Sequence, residues 1–322
     1  MRPPGERGAT SRRVAGRYSR TAMSRLSLNL LVPASLVVLF LGLWGTGYGV
    51  LPWLFRTAQN VTGRLASWLR AHARYGKAFG RLEAHRSYLP LVVAFALGTA
   101  LIAVAANTFF EIASALAAHD AGVQRIDAAV HDWFALHRTP FLNALFVGIT
   151  TAGGGLGLAA IVVVTVAIGT ARKRIRQATY LAITATGGLL LNQLLKAHFV
   201  RQRPDVTVAV LGVDGYSFPS GHAMGGTFVL CALGYLAARA MPTWKGKSAA
   251  FAALTTLDLS IATSRLYLGV HWASDVVAGL AAGLLWVTAT TSGYELFRQY
   301  PLRDARERAL AATAEPGADP PA

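Results

Sequence analysis

The chain has 322 residues, of which 53% are hydrophobic in type and only 14% are charged. That balance excludes an ordinary soluble domain and fits a bundle of membrane helices. The net charge of +16 could by number alone suit nucleic acid. The cations, however, cluster at the ends of apolar runs, as on the cytoplasmic loops of membrane proteins, so nucleic acid is rejected as a partner. The one cysteine, Cys231, lies in an apolar run and reads as a small core residue. It rules out an intrachain disulfide and a cysteine-rich metal site. Abundant arginine and alanine hint at a GC-rich bacterial source.

In chain order, residues 1–27 carry seven arginines and one glutamate. They read as a basic disordered tail that sets topology and meets anionic membrane lipid. Residues 28–87 form a second unit, a hydrophobic segment followed by a linker. Residues 28–55 are long enough to span the hydrocarbon, but Pro33, Pro52 and four glycines make them a poor straight helix. Two routes are open: a re-entrant or partly interfacial segment with both of its ends in the cytoplasm, which is favoured, or a kinked full span that makes seven in all and puts the N-terminus outside. Residues 56–87 are basic and amphipathic and read as cytoplasmic surface helices.

Residues 88–297 then alternate regularly between apolar and polar stretches. Spans are predicted at 88–110, 141–169, 177–198, 221–238, 248–264 and 272–297, with Gly153, Gly154 and Gly155 allowing close helix approach. Residues 298–322 read as a disordered tail. The expected fold class is all-α: a polytopic membrane helical bundle with a six-helix core and an extra N-terminal hydrophobic segment. The loops at 56–87, 170–177 and 239–247 and the tail after 297 are basic and are placed in the cytoplasm. The loops at 111–140, 199–220 and 265–271 then face outside.

Three stretches on that outer side carry chemistry. Gly215 to His222 (Gly-Tyr-Ser-Phe-Pro-Ser-Gly-His) ends a polar loop and opens an apolar helix. Pro219 and Ser220 suit a helix start, Gly221 lets a ligand approach the backbone, and the free N–H groups of a helix N-terminus favour an anion. His222 would sit beside that anion as a proton donor. Lys196 to Pro204 carries cations at both ends, Lys196 and Arg203. Ser264 to Asp275 supplies Arg265 and a histidine, His271, with a carboxylate, Asp275, at i+4. Lys196, Arg203 and Arg265 would bind phosphoryl oxygens, although each alone could be a cation snorkelling to lipid headgroups. His271 oriented by Asp275 reads as a nucleophile. A metal held by His222, His271 and Asp275 is disfavoured by the three cations nearby, so no metal and no cofactor are expected. His72, His85, His119, His131, His137 and His198 show no partner spacing.

These three blocks resemble the signature of the type-2 phosphatidic acid phosphatase superfamily, the lipid phosphate phosphatases. That signature is Lys, six residues, Arg-Pro; Pro-Ser-Gly-His; and Ser-Arg, five residues, His, three residues, Asp. Lys196 to Pro204, Pro219 to His222 and Ser264 to Asp275 match it without departure. The resemblance covers the six spans and not residues 1–87. It implies a six-helix bundle and metal-free dephosphorylation through a phosphohistidine. Lys196, Arg203, Ser220, Gly221 and Arg265 would bind phosphate, with His222 as acid, His271 as nucleophile and Asp275 as its partner. The spans argue against the superfamily's soluble haloperoxidase branch.

The expected protein is therefore a metal-independent phosphatase of the bacterial inner membrane, with its site on the extracytoplasmic face. Its substrate would be a lipid phosphate or diphosphate of undecaprenyl diphosphate, phosphatidylglycerophosphate or phosphatidic acid type. The competing readings are a lipid phosphotransferase or lipid A phosphatase, and a non-catalytic lipid-binding protein. Asp258, ionisable inside a predicted span, is expected to face the bundle interior and hydrogen-bond a neighbouring helix.

Overall fold

The computed structural model describes residues 29–50, 53, 57, 60, 64, 89–204 and 214–314. Nine helices are taken in order: α1 (Asn29–Gly49), α2 (Leu89–Ala117), α3 (Ala121–Leu136), α4 (Pro140–Ala152), α5 (Gly155–Ala171), α6 (Ile175–Phe199), α7 (Gly221–Ala240), α8 (Trp244–Tyr267) and α9 (Ala273–Ala314). No strand occurs among the described residues, and the chain is a multi-pass membrane helical bundle.

The glycine run does more than let helices approach. Thr139 opens α4 as N-cap, its hydroxyl accepting from Leu142 N, and Pro140 follows at the first turn. Gly153 then ends α4 and Gly154 opens α5, so the predicted span 141–169 is two helices bent by 42°. A Cβ on Gly153 would lie 2.3 Å from the Ile261 side chain, so only glycine lets this break sit against α8.

Helix α7 is the centre of the bundle, packed by α5, α6, α8 and α9, while α2 lies against α9. Its Met224, Phe228 and Leu230 join Phe109, Leu181, Ile261 and Ala278 in the main core. A smaller core of Leu142, Phe146, Tyr267, Leu268 and Val270 lies under the α3–α4 turn. Outward-facing Val163, Val164, Leu189 and Leu190 are exposed, as lipid-facing positions must be in a bundle whose solvent there is hydrocarbon. Helices α6 and α8 have spanning length, but Lys196, Asp258 and Arg265 make them more polar than α2, α7 and α9.

Three expectations change. Residues 29–49 form one unbroken, spanning-length helix and no re-entrant turn. Pro33 falls near its described start, so it removes few helical bonds, and the later glycines coincide with a widened π turn at Thr46–Val50. Helix α1 also crosses the bundle from end to end. Asn29 Oδ1 accepts from Thr139 Oγ1 at 2.6 Å, whereas Gly47 O accepts from Trp244 Nε1 at 2.8 Å. Its two ends are thus on opposite faces, not both on the cytoplasmic one. Finally, α9 continues to Ala314, so residues 298–314 are helix rather than a disordered tail. Apart from Asp304, the run from Leu302 to Ala312 consists of strong helix formers, and its charges alternate in sign. The basic tail 1–27 and almost all of the amphipathic linker 56–87 lie outside the described residues.

Asp258 is buried on α8, and its Oδ2 accepts from Thr227 Oγ1 of α7 at 2.9 Å, as expected of an intramembrane carboxylate. Cys231 is half-buried against the main core and free.

Candidate active site

The three blocks meet at one end of the bundle, where α6 ends, α7 begins and α8 turns into α9. Backbone bonds tie the turns together. Ser220 N donates to Asp275 O at 3.0 Å, and Ser217 N donates to Arg201 O at 2.8 Å. Ser220 takes the N-cap position of α7, but its hydroxyl caps nothing. Pro219 precedes the cap, so it does not preset the first helical turn. The Ser220 hydroxyl is instead fully buried and without a partner. Next to it a Cβ on Gly221 would lie 3.0 Å from Asn192 Oδ1 and 3.8 Å from Lys196 Cε. The α7 N-terminus therefore presents bare backbone N–H groups and an unused hydroxyl, which together suit an anion.

The cations surround that point. Lys196 Nζ, in the last turn of α6, donates to Tyr216 O at 2.5 Å. Arg203 Nε donates to Gly215 O at 2.9 Å, and its Nη1 donates to Val270 O at 2.8 Å and to His271 Nε2 at 3.1 Å. Burial pulls the Arg203 guanidinium below its usual value, partly offset by Asp275 and Asp214. Arg265 is 2% exposed; its Nη1 donates to Thr150 Oγ1 at 2.5 Å, while its Nε is buried with no partner. Arg265, His271, Arg203 and Lys196 all lie close enough to His222 to act on its charge. His222 packs against the α4–α5 break, where a Cβ on Gly154 would lie 3.1 Å from its Nε2.

His271 stands in the turn before α9, not on a helix with Asp275, so its partner reaches it across that turn. Its Nδ1 lies 3.4 Å from Asp275 Oδ2 and 3.3 Å from Ser217 Oγ, whose own hydroxyl donates to Asp275 Oδ2. Because Arg203 can only donate, His271 Nε2 is the acceptor and Nδ1 carries the proton. Burial pushes this imidazole down to about 4, against a smaller upward pull from the Asp275 carboxylate. The ring is therefore neutral at pH 7, with its lone pair on the face lined by cations.

Sequence reasoning missed Arg201, Asp127, Ser217 and Ser274. Arg201 Nη1 donates to Asp275 Oδ1 and Nη2 to Asp127 Oδ2, each at 2.6 Å. Asp127 Oδ1 accepts from Ser274 N at 2.8 Å, and its Oδ2 accepts from Ser274 Oγ at 2.6 Å. Val200, just before Arg201, has φ 48 and ψ 33, a left-handed conformation unusual for a β-branched residue. It turns the chain so that Arg201 points back to α9. The signal available was a third cation inside the Lys196–Arg203 block. Among the other histidines, His131 rests on the Trp272 ring and His137 stacks on Trp133. His198 packs edge-on to Phe199, and His119 lines an outer cavity. His72 and His85 lie outside the described residues.

The family model for the PAP2 superfamily matches residues 177–298. Phosphatidylglycerophosphatase B of Bacillus subtilis (strain 168) is 32% identical over 178 residues, which is 55% of this chain and 87% of that protein. A crystal structure described as the first transmembrane PAP2-type phosphatidylglycerolphosphate phosphatase from Bacillus subtilis superposes with TM-score 0.55 at 29% identity, covering 59% of this chain and 96% of that one. Aquifex aeolicus LpxE, at TM-score 0.42 and 21% identity over 52% of this chain and 94% of its own, is too distant to bear on function. With its three signature blocks gathered at one end of the bundle, the chain belongs to the PAP2 superfamily.

Proposed function

We propose that this PAP2-family phosphatase removes a terminal phosphoryl group from a membrane lipid phosphate, through a phosphohistidine on His271 and without a metal. One observation carries the reading. The neutral Nε2 of His271 faces Arg203 at 3.1 Å, and two buried polar atoms in the same cradle, Ser220 Oγ and Arg265 Nε, have no protein partner. Buried polar groups are rarely left unpaired without a ligand to meet them. A tetrahedral phosphoryl group would satisfy both and would draw Arg203 away from His271 Nε2.

The steps follow from these positions. The Nε2 lone pair attacks phosphorus, the P–O bond to the lipid breaks, and its electron pair goes to the leaving oxygen. His222 protonates that oxygen. Lys196, Arg203, Arg265 and the Gly221 amide hold charge on the equatorial oxygens, as phosphoryl transfer requires. Asp275 stabilises the positive imidazole ring that forms. Water then attacks phosphorus, the P–N bond breaks with its electron pair returning to His271 Nε2, and His222 takes the water's proton as phosphate is released.

The donor set supports metal independence. It is mostly cationic, and no three His, Cys, Asp or Glu side chains converge among the described residues. The Bacillus relative supports a phosphatidylglycerophosphate-type substrate. A cavity of about 630 Å³ beside the site, lined by Asp120, Gln124, Arg201, Arg203 and Trp272, offers room for a polar headgroup. The basic turns at 172–176 and 239–247 lie at the other end of the bundle, which supports an extracytoplasmic site in a bacterial inner membrane.

The test is phosphate release by the purified protein in EDTA, from phosphatidylglycerophosphate, phosphatidic acid and undecaprenyl diphosphate. Turnover in EDTA, lost in His271→Ala, is the expected result. Activity that disappears in EDTA and returns with a divalent ion overturns it.

A further inference from the structure

The end of the bundle opposite the phosphate site carries two adjoining cavities that the chemistry above does not use. Helix α6 is 25 residues long, so its first turn lies roughly 35 Å from the cradle at its last. One cavity, about 460 Å³, is lined by Lys173, Arg174, Arg176, Arg239 and Arg298, with no acidic side chain. The other, about 340 Å³, is an apolar groove between α5, α6, α7 and α8, floored by Ile168, Leu181, Leu233, Leu236 and Leu254. Arg174 and Gln177 line both, and Arg172 stands at the mouth of the groove.

The charges there are mostly unspent. Glu295 pairs with Arg239 at 2.8 Å and with Arg298 at 2.7 Å. Arg172, Lys173 and Arg174 have no acidic partner among the described residues. They are splayed by a tight turn in which Lys173 has φ 58 and Arg174 N donates to Gly169 O at 2.8 Å. Arg174 is the N-cap of α6, and no side chain caps that helix, so its first N–H groups also point toward the basic cavity's rim. A cationic recess that opens into an apolar furrow matches one kind of molecule, with a phosphate at one end and a hydrocarbon chain at the other.

We propose that this is a binding site for an anionic phospholipid of the surrounding bilayer, distinct from the catalytic cradle. The phosphodiester sits among Arg172, Lys173, Arg174 and the α6 N-terminus, and one acyl chain lies in the furrow against Leu233 and Leu236. The lipid thereby clamps α5 to α6 and α7.

The test uses the purified full-length protein in detergent, with melting temperature as the readout. Dioleoylphosphatidylglycerol is expected to raise it by about 5 °C. Dioleoylphosphatidylcholine, which lacks net charge, and sn-glycerol 3-phosphate, which lacks chains, should not. In the triple variant Arg172→Gln, Lys173→Gln, Arg174→Gln the apparent affinity for the anionic lipid should fall at least about tenfold. Its turnover of an aryl phosphate should match wild type, which shows that it folds and that the catalytic reading is a separate matter. Ala237→Phe, which fills the furrow and alters no charge, should also lose the shift. A full shift retained in either variant overturns the proposal. So does an equal shift from phosphatidylcholine, or from glycerol phosphate alone.

Discussion

Arg201 and Asp275 meet at 2.6 Å, in a place where the carboxylate is fully buried and also receives Trp272 N at 2.9 Å and the Ser217 hydroxyl. The same guanidinium holds Asp127, and Asp127 holds both N and Oγ of Ser274. The partner of His271 is thus fixed from behind by an element, α3, that carries no signature residue. A buried carboxylate that loses one of its donors is left undercompensated. Arg201→Met should cost about 3–5 kcal/mol of stability. Asp127→Asn should lower kcat more than it changes KM, because it disturbs alignment and not phosphate binding. Circular-dichroism melts and aryl phosphate kinetics measure these. An unchanged kcat in Asp127→Asn would show that the network only stabilises the fold.

The reaction should depend on pH through His271. Its folded value lies near 4, below the 6.5 usual for a histidine. The attacking form is neutral, so the acid limb of kcat/KM that belongs to His271 should appear below pH 6.5, as pH drops toward 4. Asp275→Asn removes the upward pull of the carboxylate and should move that limb further to acid. The sign for stability is the same. Between the two values the unfolded chain binds the proton and the folded chain does not, so acidification through this window destabilises the fold. In His271→Ala that share of the pH dependence should be missing from denaturation curves.

The two histidines should separate by leaving group. His271→Ala should abolish turnover while lipid binding persists. His222→Ala should lose roughly 10²–10⁴-fold on a lipid alkoxide, but less on an activated aryl phosphate that leaves without a proton. Asp275→Asn should cost less than His271→Ala, since the nucleophile remains. Parallel kinetics on both substrate types decide this; equal losses for His222→Ala on the two would remove it as the acid.

Asp258 should matter to the fold and not to the chemistry. Its Oδ2 takes a hydrogen bond from Thr227, and its Oδ1 is buried without a partner. Asp258→Asn should keep activity. Asp258→Leu should lower the melting temperature, because the Thr227 hydroxyl loses its link to α8. A leucine variant as stable as wild type would contradict this.

The route of α1 predicts the side of the N-terminus. With Asn29 beside Thr139 and Gly47 beside Trp244, the chain enters α1 from the active-site face. A cysteine at Ser11 should be labelled from the same side of sealed membranes as one at Asp214. Labelling from the face of Lys245 would rule this out.

The sequence made the bundle and the three blocks legible because each rests on a local pattern: apolar length, cations at run ends, and fixed spacing around His222 and His271. What stayed hidden depends on contacts remote in the chain. Asp127 lies 74 residues before Arg201, and Arg201 a further 74 before Asp275, so no window of sequence holds the network. The expected pairing of His271 with Asp275 was right in partner but not in geometry, because the histidine falls in the turn and Ser217 intervenes. The α4–α5 break stayed hidden behind the close packing that the glycines do permit, since Gly153 and Gly154 suit close approach and helix ends equally well. The α1 route followed contacts at its two ends, against a charge pattern that pointed the other way.

The bond from Ser220 N to Asp275 O has a mechanical consequence. Just beyond it α7 and α9 nearly touch: a Cβ on Gly279 would lie 2.8 Å from Ser220 O, and one on Gly283 2.7 Å from Met224 O. The two helices are welded at their tops and run together as a single strut. Bilayers of different thickness tilt individual helices to match their hydrophobic length. Here any tilt must carry Ser220 and His271 as passengers on the same strut, leaving their separation unchanged. The spacing of that pair is thereby insulated from the thickness of whatever membrane surrounds it.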